Sequence, residues 1–190
     1  MLSALDIANF FVDISIRDTE NNDITNLKLN KLVYYAQAWS FAKFGKPLFN
    51  EKIEAWKNGP VVPSVYRTFK KYGGDIIRET SDMYSPDKFT AREIDLLLDI
   101  DGNYGKYSAS ELVRQTHDKG TPWESVFRSG VRHIEIPPNK MKDYYATKEL
   151  KSVSADIAMI PSMGRRRDDG ILILPKEEYC KEDDIYNLES

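Results

Sequence analysis

Residues 26–44 read NLKLNKLVYYAQAWSFAKF, and this stretch decides the fold of the protein. Apolar side chains recur in it at steps of three and four residues, which is the spacing of one face of an α-helix. The recurring residues are Leu29, Leu32, Val33, Ala36 and Trp39. Gly45 follows directly and Pro47 comes soon after, so we expect the helix to end there. The pattern predicts a long helix at the centre of the core.

Aromatic residues crowd this helix more densely than a single core-facing stripe can hold. They are Tyr34, Tyr35, Trp39, Phe41 and Phe44. A helix that is buried on two sides accommodates them, and we favour this interpretation. The alternative is an exposed aromatic patch that binds a partner, since tyrosine and tryptophan are enriched at the centres of interfaces.

Outside this helix, capping signals predict shorter helices that are joined by short loops. Ser3 caps a first helix that runs to about residue 16, and Pro63 opens another that ends before Gly73. Three capping boxes predict further helix starts at Thr90 with Glu93, Ser108 with Glu111, and Thr121 with Glu124. A last helix is expected after Pro137. We therefore predict an all-α, multi-helix domain with little sheet over residues 1–150.

A short extended segment and a turn interrupt the helices. Residues 52–56 alternate weakly in hydropathy, and Asn58-Gly59-Pro60 predicts a turn, because Gly adopts unusual dihedral angles and Pro fixes φ. Trp56 lies just before this turn and Tyr66 lies in the helix after it. Each either fills the core or anchors an interface, and we carry both as candidate partner-binding residues.

The character of the chain changes beyond about residue 150. Ile171, Leu172, Ile173 and Leu174 form the best strand candidate of the sequence, and a charged run that includes Arg166 precedes them. Residues 176–190 hold six acidic residues and two lysines, a net charge of −4. We therefore predict a C-terminal extension over 151–190. Its charged run is either a solvated loop or, beside the apolar residues, a docking segment, and we carry Arg166 and residues 171–174 as candidate partner-binding residues.

Composition and charge exclude several classes of protein. The net charge of −3 argues against a dedicated nucleic-acid binder, which usually carries a strong basic patch. The single cysteine, Cys180, excludes an intramolecular disulfide and a cysteine-based zinc site. The N-terminus lacks the pattern of a signal peptide, and no stretch is long and apolar enough to span a membrane. We therefore expect a cytoplasmic protein without a metal or cofactor.

Residues suited to catalysis are scarce in this sequence. The two histidines, His117 and His133, lack the helical spacing of metal ligands, and no phosphate-binding loop or nucleophile elbow is present. His117 is the one candidate for acid–base chemistry or partner contact. The interpretation we favour is structural: the imidazole caps terminal carbonyls or forms a hydrogen bond across the corner between two helices, at a helix end that favours its charged form. We therefore expect that the protein is not an enzyme.

An ordered series of segments resembles the SocA-like or Panacea domain, which also occurs in phage-associated GepA-type proteins. The series covers about residues 5–150 and is densest from 26 to 73. Its segments are Leu27–Trp39, Gly45–Phe49, Glu54–Trp56, Gly59–Pro63, Val65-Tyr66, Thr116-His117 and Pro122-Trp123.

The resemblance implies an antitoxin of a toxin–antitoxin pair whose partner is a cognate toxin, and it supplies no catalytic residue. The motif residues are interpreted as scaffold: Trp39, Gly59, Pro60, Pro63, Thr116, His117, Pro122 and Trp123. Our leading hypothesis is neutralisation of the toxin by direct binding. The alternatives are an adaptor that delivers the toxin to an ATP-dependent protease, an enzyme that uses His117, and a nucleic-acid-binding repressor, which the charge disfavours.

Overall fold

Six α-helices and two short antiparallel strand pairs make up the described part of the chain. The structure, a computed structural model, describes residues 1–18, 23–81 and 85–153 together with the backbone of 165–166 and 172–173. The helices are α1 (Ala4–Arg17), α2 (Asn26–Phe44), α3 (Pro63–Phe69), α4 (Ala91–Ile100), α5 (Ala109–His117) and α6 (Pro138–Tyr145). The strands are β1 (Glu54–Trp56), β2 (Gly59–Val61), β3 (Arg165–Arg166) and β4 (Leu172–Ile173). The predicted mainly α fold is confirmed.

Local capping explains where most helices begin. Ser3, Thr90 and Ser108 each form a reciprocal capping box with the acidic residue three positions later, at the starts of α1, α4 and α5. Gly45 ends α2 with a left-handed φ of 68°, as its position after the last periodic residue predicts.

Helix α2 is buried on several sides. Helices α1, α3, α4, α5 and α6 and strand β2 all pack against it, and residues 28–40 are buried without exception. Tyr145 of α6 lies with its ring centroid 6.1 Å from those of Tyr34 and Tyr35 and 5.3 Å from that of Trp39. Tyr34, Tyr35 and Trp39 therefore fill the core, as the favoured interpretation predicts, while Phe41 and Phe44 are half-buried at its margin.

The β1–β2 hairpin corrects the predicted turn at 58–60. The turn residues are Lys57 and Asn58, while Gly59 and Pro60 lie in β2, opposite Trp56 and Ala55. A proline fits there because the amide of Ala55 donates to the carbonyl of Ile134 (2.8 Å) on the other edge of β1, so Pro60 lies in a strand without a required N–H. Residues 134–136 thus add a third extended segment beside β1.

The segment after Thr121 is a single turn, so the helix predicted from the Thr121–Glu124 capping box is wrong. Thr121 does accept a hydrogen bond from the amide of Glu124 (3.2 Å), but the carboxylate of Glu124 accepts from the amide of Gly120 instead of completing the box. The amides of Val126 and Phe127 both donate to the carbonyl of Trp123. The chain then turns back toward β1, which leaves no length for a helix.

The C-terminal end of the domain is tied to α4. This helix continues into a π-helical turn, Asp101–Gly105, and Asn103 donates from Nδ2 to the carbonyls of Asp99 and Lys151, each at 2.7 Å. The amide of Val153 donates to the Asp99 carboxylate at 2.8 Å. We call residues 151–153 the tail root, because the C-terminal extension continues from them.

The strand predicted at 171–174 is present at its two central residues. Strand β4 pairs antiparallel with β3, with Arg165 opposite Ile173 and Arg166 opposite Leu172. Ile171 and Leu174 lie outside the described residues. None of the helices in the described ranges is both long and apolar enough to cross a lipid bilayer.

Candidate functional site

Five aromatic residues from separate segments meet at one corner of the domain. They are Trp56 of β1, Tyr66 of α3, His117 at the end of α5, and Trp123 and Phe127 of the turn after it. We call this group the aromatic corner. The sequence had singled out four of its members, and the structure brings them together.

Trp123 lies in the middle of a stack of three rings. The His117 ring is stacked on it with centroids 3.8 Å apart, and the Phe127 ring is stacked on it at 4.4 Å. Trp123 is only 6% exposed, whereas the two outer rings are half-buried. Stacked aromatic rings of this kind stabilise a structure beyond the area they bury, so the stack gives the corner a rigid base.

Trp56 and Tyr66 form the second part of the corner. Their rings meet edge to face at 4.9 Å, and both are half-buried. The indole N–H of Trp56 donates to the Glu54 carboxylate at 2.8 Å, and that of Trp123 donates to the carbonyl of Trp56 at 2.9 Å. Both indole donors are thus satisfied within the protein, which leaves the rings themselves to offer apolar surface.

A lysine lies beneath the corner. Lys31 of α2 is fully buried, and its Nζ donates to the carbonyl of Pro60 at 3.0 Å. Burial lowers the pKa of Lys31 to about 7, because the charged form loses its hydration. Gly59 has a φ of 100°, and a Cβ there would lie 2.7 Å from Cε of Lys31 and 2.8 Å from Oγ1 of Thr116. Glycine is therefore required at this crossing of α2, β2 and α5.

The environment of His117 corrects its expected role as a charged cap. Burial, followed by the nearby charge of Lys31, lowers the pKa of His117, so the site favours the neutral ring. Its Nε2 is buried without a hydrogen-bond partner, and the ring is held by stacking on Trp123. The helix end does not keep this imidazole charged.

The remaining motif residues are buried or half-buried. Trp39 is buried in α2 and donates from Nε1 to the Tyr104 hydroxyl at 3.0 Å. Pro63 occupies the first turn of α3, and Pro122 is buried beside the stack. Thr116 is buried and donates to the carbonyl of Val113 at 2.8 Å.

Two residues of the site were not found from the sequence. In the sequence, Lys31 has the appearance of an ordinary polar residue of a helix. It is buried because β2 and α5 pack over α2. Phe127 follows Trp123 by four residues. This spacing places side chains side by side on a helical turn, and it could have predicted the contact between the two rings.

The C-terminal candidates belong to another segment of the chain. Arg166 lies in β3, and Leu172 and Ile173 lie in β4. The binding of a partner by these residues, as by Trp56 and Tyr66, stays a prediction. No group of three or more His, Cys, Asp or Glu side chains among the described residues is arranged to hold a metal ion.

Most residues of the aromatic corner lie in a range that matches a known protein family. The family model for "Antitoxin SocA-like, Panacea domain" matches residues 29–124, a range that includes Lys31, Trp56, Tyr66, His117 and Trp123. Antitoxin SocA of Caulobacter vibrioides (strain NA1000 / CB15N) is 36% identical over 116 residues, which cover 54% of this chain and 60% of that protein. The chain thus spans less than two thirds of the length of this curated relative. No solved structure matches the chain significantly.

Proposed function

Because this chain belongs to the SocA-like antitoxin family with a Panacea domain, we propose that it neutralises a cognate toxin by binding it directly. The antitoxin and toxin would form a complex in which the toxin is held inactive. The extent of neutralisation then depends on the free antitoxin concentration relative to the dissociation constant, as for any binding equilibrium.

The aromatic corner is the observation that carries this proposal. Trp56 and Tyr66 present half-buried rings side by side, and they belong to the residue types that most often dominate the binding energy of interfaces. A partner that covers them would bury apolar surface without having to break the hydrogen bond from Trp56 to Glu54. The rigid stack behind them keeps the ordering cost of such binding low.

Co-expression tests the role of the corner. The toxin candidate is the protein encoded by the neighbouring reading frame, and growth rescue measures neutralisation. We expect Tyr66→Ala to abolish rescue, with a rise in Kd of about tenfold or more, because truncation of a residue that dominates an interface costs about 2 kcal/mol or more. Tyr107→Ala removes a half-buried tyrosine outside the corner and is the matched control. Equal rescue by both variants would refute the assignment of the corner.

Toxin lifetime separates direct neutralisation from delivery to a protease. A sequestering antitoxin leaves the half-life of the bound toxin unchanged or longer, whereas an adaptor shortens it. We expect an unchanged or longer half-life after synthesis is blocked, measured by immunoblot with and without the antitoxin.

An enzyme based on His117 has less support than a binding protein. Its ring lies in a stack with Trp123, and its buried Nε2 has no hydrogen-bond partner to orient or activate it. General acid–base catalysis requires a ring nitrogen within reach of the proton that it transfers.

A further inference from the structure

The loop over residues 128–133, RSGVRH, connects the aromatic corner to the edge of β1. At its start, Phe127 is stacked on Trp123 at 4.4 Å. At its end, the carbonyl of Ile134 accepts from the amide of Ala55 at 2.8 Å. Both ends are therefore fixed to packed elements, so the six residues between them project from a rigid base.

The backbone of this loop is held in an uncommon conformation. Arg128 to Val131 form a β-turn closed by the Val131 amide and the Arg128 carbonyl (3.2 Å), with Gly130 at a φ of 80°. His133 has a φ of 59° and is the one non-glycine residue with positive φ in the described part of the chain. Such a conformation persists only where the surroundings fix it, and it often marks a functional segment.

Glu54 is the group that fixes His133. Its two carboxylate oxygens lie 3.2 and 3.3 Å from Nδ1 of His133, and the same carboxylate accepts from the indole of Trp56. One side chain thus connects the loop to the aromatic corner, and the two features form a continuous surface.

The tip of the loop exposes an apolar side chain between two cations. Val131 is 55% exposed, and among the described residues the other large hydrophobic side chain with high exposure is Met1. Arg128 and Arg132 on either side are exposed as well, and the loop contains no acidic residue. Apolar surface left in water beside arginines is typical of an interface, where arginine is enriched.

We propose that the 128–133 loop is a recognition loop for a protein surface with an apolar pocket surrounded by carboxylates, and, resting on the proposed function, that this surface belongs to the toxin. Val131 enters the pocket, and the guanidinium groups of Arg128 and Arg132 pair with the carboxylates, for which their planar geometry is suited. A protein fits this loop better than a nucleic acid does. The apolar side chain at its tip cannot pair with a phosphate group, and the chain carries a net charge of −3.

Two variants test the loop with the full-length protein. Val131→Asp places a carboxylate in the expected pocket, and the double variant R128E/R132E reverses the charge around it. The probe is the toxin candidate from the neighbouring reading frame, and Kd and association rates are measured by biolayer interferometry at low and high salt. We expect each variant to raise Kd by about tenfold or more, and the wild-type association rate to fall with salt, as for steered association.

The matched control is K140E/K142E, which reverses two exposed lysines of α6 outside the loop. This control is expected to change Kd by less than about threefold, because exposed charges outside an interface are largely screened by salt. Thermal melts establish whether each variant is folded. If a loop variant is not folded, Val131→Ser is measured in its place. A Kd unchanged by the loop variants, or changed no more than by the control, would overturn the inference.

Two further outcomes separate the possible failures. Absence of binding and rescue by the wild-type protein contradicts the proposed function itself, whereas binding that survives the loop variants contradicts the loop alone. Retention of a random DNA duplex by the wild type that R128E/R132E abolishes would show a nucleic-acid surface and overturn the inference in favour of that partner.

Discussion

Lys31 is fully buried, and its ammonium donates to the carbonyl of Pro60. Its pKa of about 7 in the folded protein lies far below the value near 10.5 of a free lysine. The unfolded chain therefore binds more protons than the folded one between these two pH values. Stability rises with pH through this window, and the full cost of burying the charge is present below pH 7.

We expect the free energy of unfolding to rise from pH 7 to pH 9, by up to about 1.4 kcal/mol per pH unit from this residue. Lys31→Met should abolish most of the rise, because the thioether has no charge to bury. His117 does not contribute in this window, since its pKa is lowered from 6.5. Urea unfolding at pH 7, 8 and 9 measures the effect.

Lys28→Met is the matched control for this experiment. Lys28 is also buried in α2, but its ammonium pairs with Asp23 and donates to the carbonyl of Gly105. We expect this variant to be less stable at each pH while it keeps the rise. A wild-type stability that is flat from pH 7 to pH 9 would contradict the account of Lys31.

Gly59 and Gly120 form a second comparison at single residues. Both have positive φ, of 100° and 84°, so an added Cβ is strained at either position. At Gly120 the Cβ meets nothing within 4 Å, whereas at Gly59 it meets Lys31 and Thr116. We expect Gly59→Ala to cost about 1–3 kcal/mol more stability than Gly120→Ala, which is the usual penalty of overpacking. Chemical denaturation compares the two, and equal losses would exclude a packing role for Gly59.

At the scale of secondary-structure elements, Gly102 lets the tail root pack onto the π-helical turn. A Cβ at Gly102 would overlap Cγ2 of Val153. We therefore expect Gly102→Ala to displace residues 151–153 and to increase the rate of tryptic cleavage after Lys151 several-fold, as local opening becomes easier. Mass spectrometry of limited digests identifies the cut.

Gly74→Ala is the control, because a Cβ there has open space around it. It is expected to leave the digestion pattern unchanged. Equal cleavage rates in the two variants would mean that Val153 does not hold the tail root in place.

The helices were predictable because their signals are local. Periodicity and caps within about ten residues defined α1 and α2 almost to the residue, and they defined the starts of α4 and α5. The 121–127 turn was not predictable from its capping box, since the path of the chain back to β1 overrides that signal. The hairpin register likewise depends on Ile134, which is distant in sequence.

The sequence identified most residues of the candidate site, but it did not predict that they lie close together. Trp56, Tyr66, His117 and Trp123 were identified one by one, yet their meeting depends on how α3, α5 and the hairpin pack around α2. The burial of Lys31 and the exposure of Val131 follow from the same packing. No spacing within a single segment contains that information.

At the scale of the whole molecule, the helical domain and the C-terminal extension are expected to separate in function. The core residues of the described part all precede residue 151, so we expect deletion of residues 160–190 to change the melting temperature by less than about 2 °C. We expect toxin neutralisation in the co-expression assay to fall, because the extension with β3 and β4 is proposed to add toxin contacts. Unchanged neutralisation would show that the extension has no such role.

The packing of α6 on α2 also determines when the core can close during synthesis. Tyr34, Tyr35 and Trp39 receive their covering ring, Tyr145, only after about 110 further residues have been synthesised. At roughly 5–20 residues per second, the interval between the two helices is on the order of ten seconds. During that time the most aromatic segment of the protein is without its final partner and open to chaperones and proteases. The supply of folded protein would then depend on translation reaching α6, and a ribosome stalled before it would yield fragments that cannot close their core.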